Sequence, residues 1–317
     1  MYMYVTFSIL GFSVLIVGGE NRGYQFSRYY TLKKPEVVAQ NGSTCITNLP
    51  DLPSGIGGQP SLIMTHNQKI ILCGGINNRK SCLEMKSSSW KLHSSLSKER
   101  RLASAVVMKE GIFIFGGEDS KYTWEWLPNN GSSHWILGDS DIPSPGFNSG
   151  CAVKISEIEI ALIGGEAYDS IHSSWKGLKK LLIFNTDTKN WTAEHDNVLK
   201  EGRYEHACAL FSNKIIVTGG LSFYFRENLA STEVIDIQDL TISTVSGSLN
   251  QRRARHGLVK AQIGAKQTLM VMGGYEWIDS IETWNEATGN WTISRIKLSI
   301  SRFGFGYLSV PTHILCP

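Results

Sequence analysis

Residues 213–220 read NKIIVTGG, four apolar or β-branched side chains from Ile215 to Thr218 closed by the pair Gly219-Gly220. A run this short and this uniformly apolar is the pattern of a strand buried on both faces. The glycine pair after it supplies the positive φ that a sharp exit from a crowded sheet requires. The phrase recurs along the whole chain. SVLIVGG ends on Gly18-Gly19, KIILCGG on Gly74-Gly75, GIFIFGG on Gly116-Gly117, IEIALIGG on Gly164-Gly165 and TLMVMGG on Gly273-Gly274. Intervals of 42 to 56 residues separate successive pairs, so the chain is built on a repeat of about 50 residues.

Two further signatures keep the same frame. After the pairs, an apolar residue is followed seven positions on by Trp: Leu83 to Trp90, Phe184 to Trp191 and Trp284 to Trp291. The intervening NTDTKN and NEATGN are rich in Asn, Asp, Thr and Gly and read as tight hairpin turns. Repeat five carries Ile242 in place of this Trp, repeat one carries Cys45, and in repeat three Trp126 and Trp135 compete for the role. Ahead of the pairs, Arg203-Tyr204-Glu205-His206 and Arg253-Ala254-Arg255-His256 open apolar strands. Arg101 to Ser104, Gly146 to Ser149 and Gly58 to Ser61 stand in the same place before repeats three, four and two. Arg302 to Leu308 reads as one more Arg-led strand, with no glycine pair after it.

Taken together these residues resemble the kelch repeat, whose consensus couples an Arg-x-x-His strand, a glycine pair and a later aromatic-to-Trp hairpin. The resemblance covers nearly the whole chain and implies an all-β, six-bladed kelch-type β-propeller over residues 11–317, of the stand-alone kind without a BTB domain. In that family each repeat is a four-stranded blade and the blades ring a central channel. Repeat one lacks an inner strand of its own, so the C-terminal strand is expected to complete blade one and close the ring, removing exposed edges. The tryptophans are expected to wedge between blades, and the arginines to satisfy carbonyls at blade junctions. His206 and His256 then read as structural residues, with no metal site implied.

Composition sets the outer bounds. The 317 residues are 42% hydrophobic and 19% charged, an ordinary core-forming balance. A net charge of +3 without a Lys/Arg stripe argues against nucleic acid as a partner. Residues 1–17 are almost wholly apolar yet slightly short for a membrane-spanning helix. Residues 1–10 are therefore a candidate signal segment or extra strand, although no Lys or Arg precedes Arg22. Cys73 and Cys82 are a candidate disulfide across adjacent strands, and Cys45 and Cys316 a second one within blade one. Cys151 and Cys208 fall on inner strands of neighbouring blades, which diverge, so that pair is not among the candidates. Asn41, Asn130, Asn190 and Asn290 are candidate glycosylation sites.

The sequence contains no Gly-x-Ser-x-Gly elbow, phosphate loop, His-Glu-x-x-His or Cys-x-x-Cys motif, so it reads as non-catalytic and without a cofactor. Recognition on a rigid scaffold falls to loops, and those after the glycine pairs vary most in length. They offer Arg22, Tyr29 and Tyr30 from blade one, Tyr168 and Trp175 from blade four, Tyr224, Phe225 and Arg226 from blade five, and Trp277 from blade six. These are the residue types that dominate interface energies. The expectation is a monomeric, secreted platform that binds one or more proteins. The alternatives are a cytoplasmic substrate receptor for a ubiquitin ligase or an actin-binding kelch protein, and a carbohydrate-binding or galactose-oxidase-like propeller.

Overall fold

Each glycine pair ends the second strand of an antiparallel sheet, and six such sheets stand radially around one axis. The computed structural model describes residues 12–22, 29–39, 49–53, 58–77, 79–222, 228–263 and 266–315. Blade two is built from Ser61–Met64, Ile70–Cys73, Ser81–Met85 and Trp90–Ser95, in chain order from the axis outward. Blade three follows with Ser104–Met108, Gly111–Phe115, Trp124–Pro128 and Ile136–Leu137. The inner strands of blades four, five and six are Cys151–Lys154, Ala207–Phe211 and Gly257–Ile263. Their outer strands are Asn190–His195, Asp239–Ser248 and Asn290–Lys297. Residues 1–11, the candidate signal segment or extra strand 1–10 among them, lie outside the described residues.

Blade one closes the ring as the strand inventory requires. Gly306–Pro311 pairs antiparallel with Phe12–Val17, setting Leu15 opposite Leu308 and Val17 opposite Gly306, and Phe12–Val17 pairs in turn with Glu36–Ala39. The inner strands of all six blades touch in cyclic order, the circle passing through Gly306–Pro311. Side chains on one strand serve two junctions, because successive residues point to opposite faces. Val14 and Ile16 pack with Val259, Met270 and Met272 of blade six, whereas Leu15 and Val17 pack with Ile70, Leu72 and Leu83 of blade two. This is why the strand is apolar at four successive positions, Val14 to Val17, rather than at alternate ones.

A belt of backbone hydrogen bonds fixes the inner rim. Gln59, Leu102, Ser149, Glu205, Arg255 and Gly304, one from each connection between blades, all adopt positive φ between 53° and 60°. Each amide donates to the carbonyl of the preceding member, at 2.5 to 3.4 Å, and the sixth bond returns to the first residue. The belt corrects the frame expected for three repeats by one residue. Leu102, Ser149 and Gln59 hold the third place of their connections, so the arginine equivalent to Arg203 is Arg100 and not Arg101. The hydrogen-bonding position, not the identity of the basic residue, defines the repeat.

The junction arginines do satisfy carbonyls. Arg100, Arg203, Arg253 and Arg302 donate to Gly116, Gly219, Gly273 and Gly18, at 2.6, 2.9, 2.6 and 3.3 Å. A Cβ on Gly219 (φ 57°) would collide with the Arg253 carbonyl, so the pair is glycine for steric as well as conformational reasons. Each arginine also meets a third-strand glutamate that sequence reading missed: Glu125 at 2.9 Å, Glu233 at 2.5 Å, Glu282 at 2.9 Å and Glu36 at 3.0 Å.

The tryptophans wedge between blades. Trp291 donates to Thr232 Oγ1 of blade five at 2.9 Å, and Trp191 packs with Phe113 and Phe115 of blade three. In repeat three Trp135 takes the role, donating to Ser94 Oγ of blade two at 3.0 Å, while Trp126 stacks on Phe113 at 5.8 Å. Ile242 points to solvent, and its neighbour Ser243 occupies the inward slot. Cys73 and Cys82 form the expected cross-strand disulfide, their Cα atoms 4.1 Å apart. Cys151 and Cys208 are also bonded, with Cα atoms 5.8 Å apart, which corrects the reading that these strands diverge too far. The blades diverge outward, but their innermost strands converge on the axis and stay within reach. Cys45, Cys316 and Asn41 lie outside the described residues.

Candidate functional site

The loops after the glycine pairs and the connections between blades occupy one face of the ring. The first residue after each pair (Glu20, Ile76, Glu118, Glu166, Leu221, Tyr275) donates its amide to a connection, at Phe303, Gly58, Arg101, Asn148, Tyr204 and Ala254 respectively. These bonds, 2.8 to 3.0 Å long, clamp the variable loops onto the belt. Inside the belt an axial cavity of about 140 Å³ opens on this face. Gln59, Ser149, Glu205, Arg255 and both repeat histidines line it.

The histidines belong to the scaffold. Burial first, and Arg203 beside it second, push the His206 imidazole down to about 3, and burial with Arg253 holds His256 well below its usual value. Burial thus favours the neutral form of both rings, and Thr218 Oγ1 lies 2.9 Å from His256 Nε2. Among the described residues no three His, Cys, Asp or Glu side chains are grouped as metal ligands.

The rim is charged. Glu20, Glu118, Glu166 and Glu205 face Arg101 and Arg255 around the mouth. Arg101 pairs with Glu118 and Arg255 with Glu205. Arg255 also lies 6.0 Å from the Phe303 ring, which Tyr275 meets edge-on at 5.1 Å. Burial is the largest influence on Glu166 and raises it to about 7, against hydrogen bonds from Ser149 Oγ and Asn148 Nδ2. Burial raises Glu20 as well.

Aromatic side chains stand around this charged mouth. Glu166–Asp169 and Ser174–Gly177 form a hairpin rising from blade four, and cross-strand neighbours Tyr168 and Trp175 meet edge to face at 5.6 Å. Trp277 (φ 68°) projects from the corresponding loop of blade six, and Tyr122 from that of blade three. These four are 42% to 55% exposed, and the only other exposed aromatic among the described side chains is Phe12. In blade one the backbone of Glu20–Arg22 pairs with Tyr29–Thr31, placing Arg22 opposite Tyr29 and Asn21 opposite Tyr30. Tyr224, Phe225 and Arg226 lie outside the described residues.

Of the side chains around this mouth, sequence reading named Tyr168, Trp175 and Trp277, which are exposed there, and did not name Tyr122 or the glutamates. Their signal was present, since three of the six pairs continue as Gly-Gly-Glu, at Glu20, Glu118 and Glu166. Asn130, Asn190 and Asn290 sit exposed in or beside the hairpins joining third and outer strands, at the opposite end of the sheets. No helix among the described residues is long and apolar enough to cross a membrane.

No protein-family model matches the chain. The chain is similar to alpha-scruin of Limulus polyphemus, with 25% identity over 202 residues that cover 62% of this chain and 21% of that protein. It therefore spans about a fifth of the length of the curated relative it matches.

Proposed function

We propose that this chain is a kelch-type propeller acting as a non-catalytic platform, whose protein partner docks on the face that carries the glycine-pair loops. The observation that carries this reading is the segregation of exposed aromatics. Tyr122, Tyr168, Trp175 and Trp277 share that face, on loops clamped to a rigid belt. Exposed aromatic side chains on a pre-organised surface bind with little ordering cost and supply most of the energy of typical interfaces. The similarity to alpha-scruin, across 62% of this chain, supports the repeat assignment. The double substitution Tyr168→Ala/Trp175→Ala is expected to weaken partner capture from source extract at least tenfold while leaving the melting temperature within about 2 °C, since exposed side chains contribute little to stability. Undiminished capture, measured by quantitative pull-down against the parent chain, overturns the assignment of the face.

The same reading places the protein in an oxidising, extracellular compartment. Its support is the pair of disulfides Cys73–Cys82 and Cys151–Cys208, since such bonds persist outside reducing compartments. The exposed sequons Asn130, Asn190 and Asn290, clear of the docking face, are compatible with it. Non-reducing peptide mapping of protein from its natural source is expected to recover both cross-linked peptides. Recovery of Cys151 and Cys208 as free thiols contradicts the compartment.

A further inference from the structure

The mouth of the channel carries charge that the molecule does not itself neutralise. Two of its carboxylates, Glu118 and Glu205, are matched by Arg101 and Arg255. Glu20 and Glu166 have no ion-pair partner among the described residues, although Glu20 is buried and Glu166 largely so. They belong to blades one and four, on opposite sides of a six-membered ring. A second, independent feature points the same way. Gln59 is 9% exposed and lines the axial cavity, yet its acceptor Oε1 has no hydrogen-bond partner. Asn148 Oδ1 is likewise buried and unpartnered, beside the amide nitrogen that Asn148 gives to Glu166. Buried acceptors of this kind are normally satisfied. Arg255 Nε and ring nitrogens of His206 and His256 are also buried without a partner in this cavity. The charge left over at the mouth, where four carboxylates face two ion-paired arginines, is nonetheless negative, and what suits that excess is a cation with several donors. A guanidinium group, with five N–H donors and a permanent charge, fits that description best.

We infer that the mouth receives an arginine-bearing basic segment of the partner protein, whose guanidinium groups meet Glu20, Glu166 and the acceptor oxygen of Gln59. This rests on the docking-face reading above and specifies its chemistry. The existing arginines weigh less toward a carboxylate ligand, because each is ion-paired with its own glutamate, Arg101 with Glu118 and Arg255 with Glu205, although Arg255 Nε stays without a partner.

The pH response follows from the groups facing Glu166. Asn148 and Ser149 donate to it from the connection into blade four; Glu118 and Glu205 repel its ionised form from blades three and five; Arg255 attracts it from blade six. On its own hairpin Lys176 is engaged by Asp169. With its acid raised to about 7, Glu166 is largely protonated at pH 6 and ionised at pH 8. An arriving cation favours the ionised form, so binding releases a proton and strengthens as pH rises through that window.

The test uses the full chain with two fluorescein-labelled probes, hexa-arginine and hexa-glutamate, followed by anisotropy at physiological salt. Hexa-arginine is expected to bind saturably, several-fold more tightly at pH 8 than at pH 6. Glu20→Gln/Glu166→Gln is expected to weaken it at least tenfold and to remove the pH dependence. The glutamines preserve shape, and an unchanged melting temperature confirms the fold. Equal binding of hexa-arginine to the parent and the double variant overturns the inference, as does failure of the parent to bind it. Binding of hexa-glutamate instead, lost in Arg255→Gln, overturns the cationic specificity but leaves the docking face standing. Loss of the face itself is reported separately, by undiminished partner capture in Tyr168→Ala/Trp175→Ala.

Discussion

Arg253→Met is expected to destabilise the protein by about 3–5 kcal/mol, the cost of leaving one member of a buried ion pair uncompensated. Arg253 and Glu282 are both inaccessible, and the guanidinium also serves the carbonyls of Gly273 and Ser280, at 2.6 and 3.0 Å. Methionine fills the space but donates nothing, so two carbonyls and one carboxylate lose a partner together. Glu282 retains the amides of Asn250 and Gln251, which keeps the loss below that of a bare buried charge. For a single cooperative transition of a chain this long the loss corresponds to a fall of roughly 5–8 °C in melting temperature. Because the pair is buried, raising salt should not restore it. Calorimetry of Arg253→Met beside Arg253→Met/Glu282→Gln checks the cause: removing the second charge while keeping an acceptor for the Asn250 and Gln251 amides is expected to recover part of the stability. A single variant that melts with the parent chain contradicts this account of the junction. The same arrangement recurs at Arg100–Glu125, Arg203–Glu233 and Arg302–Glu36, so four of the six blade junctions share one construction.

What the sequence disclosed and what it hid divides along the range of the interactions involved. The second strands and their glycine pairs were legible because their pattern is local: an apolar run such as Ile215 to Val217, then a forced turn at Gly219-Gly220. Closure of blade one by Gly306–Pro311 was legible by inventory, since one inner strand was missing at the start and one was spare at the end. The glutamates that meet the junction arginines were hidden because loops of unequal length separate them from the glycine pairs. Glu125 and Glu282 follow theirs closely, whereas Glu36 comes only after the hairpin of blade one. The frame of connections two, three and four slipped because the position is set by a cyclic set of backbone bonds, which leaves no side-chain mark at Gln59, Leu102 or Ser149. The Cys151–Cys208 bridge was missed for a similar reason, as it depends on how closely neighbouring inner strands approach. Of the docking face, the aromatics were visible as residue types. The glutamates after the pairs were not read, because a charged residue following a turn has the appearance of an ordinary solvated position.

The proposed docking face depends on closure of the ring, and closure rests on residues 302–311. They supply Arg302 and its pair with Glu36, the sixth member of the belt in Gly304, and the strand whose Leu308 and Val310 pack with blade two. Phe305 completes the core shared with blade six. Without them Phe12–Val17 becomes an unpaired edge and the belt opens between Arg255 and Gln59. The combined loss exceeds the whole stability of a typical domain, about 5–15 kcal/mol. Calorimetry of a chain lacking residues 302–315 is therefore the direct measurement. The expected trace has no cooperative transition near that of the full chain; a single sharp transition at the full-chain temperature would show that the ends do not hold the ring together.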